Sequence, residues 1–194
     1  MELFQYTIPI PDNNKLITFD YNFNKKVDEL PQYLRYLNLV GYFDQKIEDF
    51  PNYLIYLRLS VAFNQEIKEF PQYLLYLRLG SYFNKNIKGF PRYLLYLHLG
   101  VQFNIAIKEF PQYLSYLCLG WDFNQEIKEF SNSLLYLDLG KEFNRKIKHI
   151  PQYLLYLYLS RYYDQPIYNY SKSIVVINYY EHQKHLIPKH LQKN

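Results

Sequence analysis

The chain has 194 residues, a formal net charge of +4 and 49% hydrophobic residues, a balance that supports a continuous apolar core and excludes wholesale disorder. No apolar run approaches the roughly 18 residues of a membrane span, and so mild a charge does not demand nucleic acid as a partner. The single cysteine, Cys118, excludes an intramolecular disulfide and fits a reducing compartment.

The first residues, MELFQYTIPIP, hold no basic segment followed by an apolar one, so no secretory signal is expected. Residues 1–13 read as an N-terminal cap: Leu3, Phe4, Ile8 and Ile10 can cover a first rung, and Pro11 is in register with Pro31. From 14 to 180 the chain repeats itself every twenty residues. The unit is L-x-Y-L-x-L-G-x-x-F-N-x-x-I-x-x-F-P-x-x, and no insertion interrupts it between Ile17 and Ile177. Leu37, Leu57, Leu77, Leu97, Leu117, Leu137 and Leu157 form one column, and a second leucine follows two residues later in each. A phenylalanine column runs from Phe23 to Phe143 and ends in Tyr163. About nine rungs result, with weaker residues at both ends: Ile17 and Phe19 at the first, Ile174 and Ile177 at the last.

Alternating leucines place Leu77 and Leu79 on one face of a strand. One such strand is too small to bury them. Parallel strands stacked about 4.8 Å apart make a shared core. Pro31, Pro51, Pro71, Pro91, Pro111 and Pro151 disfavour helix at and before the joint. The expected architecture is therefore a repeat solenoid with short parallel β-strands on its concave face. Its convex side is extended or 3₁₀, with little α-helix. Asn at the corner, from Asn24 to Asn144, suits hydrogen bonds to the backbone of its own and the next rung. Gly80, Gly100, Gly120 and Gly140 suit the exit from the strand.

These motifs, F-N-x-x-I followed by F-P and L-x-x-L-x-L, resemble the FNIP-repeat branch of leucine-rich repeats, abundant in social amoebae and in giant viruses of the mimivirus kind. The resemblance covers about residues 16–180. It departs in its period, since the family's is nearer 22 residues, and in having only Gly89 before the proline. Giant-virus members often carry an N-terminal F-box that delivers targets to ubiquitin ligases. About thirteen residues precede the first rung here, too few for one, so that adaptor role is not implied.

Two outward columns lie between the leucines. One is a tyrosine ladder that includes Tyr56, Tyr76, Tyr96 and Tyr116. Tyrosine favours strands and stacks in register, and it also offers the rigid contact area that interfaces use. Codon bias is a third source, because Tyr, Phe, Ile, Asn and Lys all come from AT-rich codons. The other column varies: Asn38, Arg58, Arg78, His98, Cys118, Asp138, Tyr158, Asn178. Variation on a rigid repeat is where specificity can be written. Arg58 and Arg78, one rung apart, suit a carboxylate or phosphate. Trp121, in a varied loop column, suits an anchor, or a partly buried loop side chain.

His98, Cys118 and Asp138 do not form a catalytic triad, because the cysteine stands between the other two. Nor can three groups in line make a tetrahedral metal site. Lys68, Lys88, Lys108, Lys128 and Lys148 form a convex basic column beside Asp49, Glu69, Glu109 and Glu129, expected as a mutually screened face. Residues 181–194 read as a C-terminal cap or basic tail. Leu186, Ile187 and Leu191 can fold over the last strand, while His182, His185 and His190 offer weak metal ligands.

The sequence thus points to a non-catalytic scaffold that binds another protein on the concave face through Arg58, Arg78, His98, Asp138, Tyr158, Trp121 and the tyrosines. The alternative is polyanion or nucleic-acid binding through Arg58, Arg78 and the ladder. No cofactor, metal or membrane partner is expected. A cytoplasmic monomer is expected, in the host cytoplasm if the protein is viral.

Overall fold

The structure is a computed structural model that describes residues 16–192 with the exception of Asp28 and Asn169. The expected N-terminal cap lies outside the described residues. Among the described residues, nine three-residue strands follow one another at twenty-residue intervals: β1 Leu16–Thr18, β2 Tyr36–Asn38, β3 Tyr56–Arg58, β4 Tyr76–Arg78, β5 Tyr96–His98, β6 Tyr116–Cys118, β7 Tyr136–Asp138, β8 Tyr156–Tyr158 and β9 Val176–Asn178. They form one parallel sheet in chain order. Each residue pairs with the one twenty positions on, as Leu57 does with Leu77.

Each rung closes through two turns. After the strand, the Phe83 N–H returns to the Gly80 carbonyl at 3.2 Å. At the joint, the Leu74 N–H returns to the Pro71 carbonyl, also at 3.2 Å. Proline suits that position because its fixed φ and missing N–H cost nothing there. Ser131 and Ser171 replace it without loss of the turn. The Ser131 hydroxyl donates to the Gln112 carbonyl at 2.7 Å and accepts the Ser133 N–H at 3.2 Å, and Ser171 bonds the Gln152 carbonyl and the Ser173 N–H in the same way. The convex segments between strands are turns and bends. Among the described residues, 3₁₀ helix occurs only near the C-terminus, at Glu181–Leu186 and Lys189–Leu191.

The leucine and phenylalanine columns are buried along the stack and merge into one core. Phe43, Phe63, Phe83, Phe103, Phe123 and Phe143 stack with ring centres 6.2 to 6.3 Å apart. At the C-terminal end, Gln183 stands twenty residues after Tyr163 and closes the phenylalanine column with polar bonds. Its amide donates to the Ser160 and Tyr163 carbonyls at 2.8 and 2.9 Å. Ile187 is buried in the core, while Leu186 and Leu191 are half-buried against it.

The corner column works between rungs. Asp44 donates its N–H to the Asn24 side chain, Asn64 to Asp44, and so on to Asp164 on Asn144, all at 2.8 to 3.1 Å. The bonds join neighbouring rungs, which is one of the two partners expected. The glycine column has a reason that differs from the one expected. Of those four, only Gly140 has a left-handed φ, +71°. At Gly100 a Cβ would lie 1.8 Å from the Gly80 carbonyl oxygen. The backbones of successive rungs touch there, and a side chain has no room.

Candidate functional site: the tyrosine ladder and its variable column

The tyrosines of the sheet form a tight stack. Ring centres from Tyr56 through Tyr136 lie 4.1 to 4.4 Å apart. That is less than the 4.7–4.9 Å between neighbouring strands, whereas the phenylalanines behind the sheet are further apart than the strands. The rungs therefore fan outward from the tyrosine face, and that face is concave. At either end the ladder opens to 6.2 Å between Tyr36 and Tyr56 and 6.3 Å between Tyr136 and Tyr156. There the rings are also tilted, by 36° and 35°, so the close stack is confined to Tyr56 through Tyr136.

Stacking covers the ring faces, so the ladder presents edges and hydroxyls rather than open π surfaces. Burial pushes the hydroxyls of Tyr56 and Tyr76 up to about 12 and raises those of Tyr96, Tyr116 and Tyr136 as well. These phenols stay protonated near neutrality and can donate hydrogen bonds.

Beside the ladder the variable column lies in strict register: Asn38, Arg58, Arg78, His98, Cys118, Asp138, Tyr158, Asn178. Arg58 and Arg78 are direct neighbours and make no ion pair with an acid among the described residues. His98 comes next. Burial, then the nearby Arg78, push its imidazole down to about 4, and Arg58 adds to the effect. Its Nδ1 is buried and makes no hydrogen bond among the described residues.

Burial and the adjacent Asp138 hold the Cys118 thiol well above its ordinary range. It is therefore a poor nucleophile. Burial also raises the Asp138 carboxyl, which accepts the Gly140 N–H at 2.8 Å and so closes its own turn. In this trio the cysteine separates the other two, and the carboxylate is aimed at the backbone. Tyr158 lies against Tyr136, with ring centres 5.2 Å apart.

Of the two roles open to Trp121, the structure removes the partly buried one. The side chain is 59% exposed, with the Lys141 ammonium 5.7 Å from its ring centre. Phe123, two residues on, enters the core in its place. Convex Lys68 pairs with Glu48 at 2.9 Å, and Glu48 also holds Lys46 at 2.8 Å. That acid stands in the lysine column itself, not in the neighbouring acidic one. In the tail, a His182 ring nitrogen meets the Arg161 carbonyl and one of His185 meets that of His182. Among the described residues no group of three metal-binding side chains forms.

One surface was missed in the sequence. Tyr33, Tyr53, Tyr73, Tyr93, Tyr113 and Tyr153 form a second column, two residues after the joint, and each is more than two-fifths exposed. Tyr53 and Tyr73 stack at 6.1 Å, as do Tyr93 and Tyr113. Beside it runs a shallow groove of about 510 Å³ lined by Phe70, Phe90, Lys88 and Arg92. The twenty-residue recurrence of these tyrosines was the available signal.

Strands of L-x-L, one buried core and turn-built convex loops define a leucine-rich-repeat solenoid. No family model matches the chain, and no curated protein matches it. Among solved structures it is similar to the giant-virus protein CroV588, described as a novel circular LRR protein structure. The two share 32% identity and a TM-score of 0.71 over 92% of this chain and 32% of the other. The chain thus spans about a third of the length of that protein.

Proposed function

We propose that this solenoid is a non-catalytic scaffold that binds another protein on its concave face. The observation that carries the reading is the contrast between two adjacent columns. The tyrosine ladder hardly changes from rung to rung, while the column from Asn38 to Asn178 changes at nearly every step. A constant, stacked platform with a varied row upon it is how a repeat can encode specificity without altering its core. Tyr158 and the exposed Trp121 add aromatic contact area. The repeat itself we read as FNIP-type, from its F-N-x-x-I and F-P steps. We further propose a monomer that acts in the cytoplasm, that of the host if the protein is viral. No described helix is long and apolar enough to cross a membrane.

The pair Arg58 and Arg78, without an acid beside it, favours a second reading as a polyanion or nucleic-acid binder. Ring stacking weighs against it, because the bases of a bound single strand stack on free aromatic faces of the protein. Selection of binders from a displayed protein library separates the two. Tyr158→Ala and His98→Ala should weaken a selected binder, and Tyr73→Ala with Tyr113→Ala on the convex side should not. A binder with the opposite sensitivity would move the site to the convex column. Loss of binding between low and physiological salt, with no change in either variant, would favour the polyanion reading.

A further inference from the structure

We propose that the concave face holds an acidic, extended peptide segment of its protein partner, with carboxylates seated between Arg58 and Arg78. The inference rests on the concave face being the binding face and goes further in naming what fills it.

Arg58 and Arg78 stand in register on adjacent strands, whose backbones lie about 4.8 Å apart, and their like charges repel each other. Nothing among the described residues offsets this: the ion pairs found involve Lys46, Lys68, Lys141 and Lys184, not these arginines. The neighbour on one side is Asn38 and on the other His98, so neither brings a countercharge. Such a pair is complementary to a carboxylate, which can take paired N–H bonds from a guanidinium fork. The adjoining phenols of Tyr56, Tyr76 and Tyr96 hydrogen-bond to one another along the ladder and line the seat with neutral polar groups.

The same column limits the ligand. Four rungs beyond Arg58 lies Asp138, about 19 Å along the stack. That acid, though its oxygen is taken by the Gly140 N–H, disfavours a ligand that carries negative charge along its whole length. An extended peptide of about six residues covers the interval. Acids at one end and a neutral or basic residue at the other therefore match the face. A nucleic acid, with a phosphate at every step and covered tyrosine faces beneath it, does not.

The test is fluorescence anisotropy with a labelled hexapeptide, Glu-Ala-Glu-Ala-Ala-Lys, its counterpart with both glutamates replaced by glutamine, and a labelled oligothymidine. At about 50 mM salt the glutamate peptide should bind, and the glutamine peptide should bind about tenfold more weakly. Arg58→Ala with Arg78→Ala should weaken the glutamate peptide by a similar factor. Lys88→Ala with Lys108→Ala on the convex side should change it less than about twofold. The single variant Arg78→Gln, which keeps a long polar side chain, gives the same readout if the double variant fails to fold. No binding of the glutamate peptide, equal binding of the two peptides, or undiminished binding to the arginine variants overturns the proposal. Tighter binding of the oligothymidine does so in favour of nucleic acid.

The two readings fail differently. A library-selected binder without acidic residues, indifferent to Arg58 and Arg78 but weakened by Tyr158→Ala, overturns the carboxylate and leaves the concave face standing. A binder sensitive only to the convex tyrosines removes both.

Discussion

The side-chain oxygen of Asn104 accepts the backbone N–H of Asn124, one rung further along the stack, at 3.0 Å. Replacing Asn104 by leucine removes that acceptor and should cost about 1 kcal/mol. Asn104→Asp keeps an oxygen there, as Asp44 already does for Asn64 at 2.8 Å, and should stay close to the parent. Urea unfolding measures both. Equal losses would show that the acceptor is not what the column supplies.

Gly100→Ala should be severe. The added methyl would lie 1.8 Å from the Gly80 carbonyl oxygen, so the rungs must separate or shift, at a cost above about 2 kcal/mol. Gly89→Ala, where no atom lies within 4 Å of the added carbon, should change stability by less than about 0.5 kcal/mol. Thermal melts of the two variants decide whether close backbone approach explains the column.

His98 gives the pH dependence a sign. Its pKa falls from 6.5 to about 4 in the folded chain, so between those values the unfolded chain binds more protons. The stability due to a neutral buried imidazole is full above pH 6.5 and drains away as pH falls towards 4. His98→Gln should remove that slope. The difference in melting temperature between parent and variant should shift against the parent from pH 7 to pH 5. A constant difference would show that the imidazole titrates normally.

Trp121 should emit as a solvated indole and be readily quenched by iodide. Its truncation to alanine should change stability by less than about 0.5 kcal/mol. Emission at short wavelength, protected from quencher, would contradict its exposure.

Much of the fold was legible because each column repeats one physical demand. Leu57 and Leu77 pair in register, as a twenty-residue period requires. What the residues could not reveal depends on distances between rungs. The need for glycine at Gly100 arises from a neighbouring backbone, and sequence contains no such spacing. The partner of Lys68 was sought in the adjacent acidic column and is Glu48, an exception within the lysine column. Trp121 could stand in or out of the core by composition alone. The exposed tyrosines from Tyr33 to Tyr153 were visible as letters but fall at the last open position of the repeat unit, and their recurrence there went unread. For the candidate site, the varied column was legible, but the isolation of Arg58 and Arg78 from any acid needed three dimensions.

The strict twenty-residue register also bears on how such a chain can change over time. Each strand pairs only with its immediate neighbours, so duplication or loss of one repeat unit leaves every surviving interface of the same kind. Such an event adds or removes one position of the variable row in a single step. Copying slippage in the gene can therefore lengthen or shorten the binding face, while point mutation revises individual positions within it.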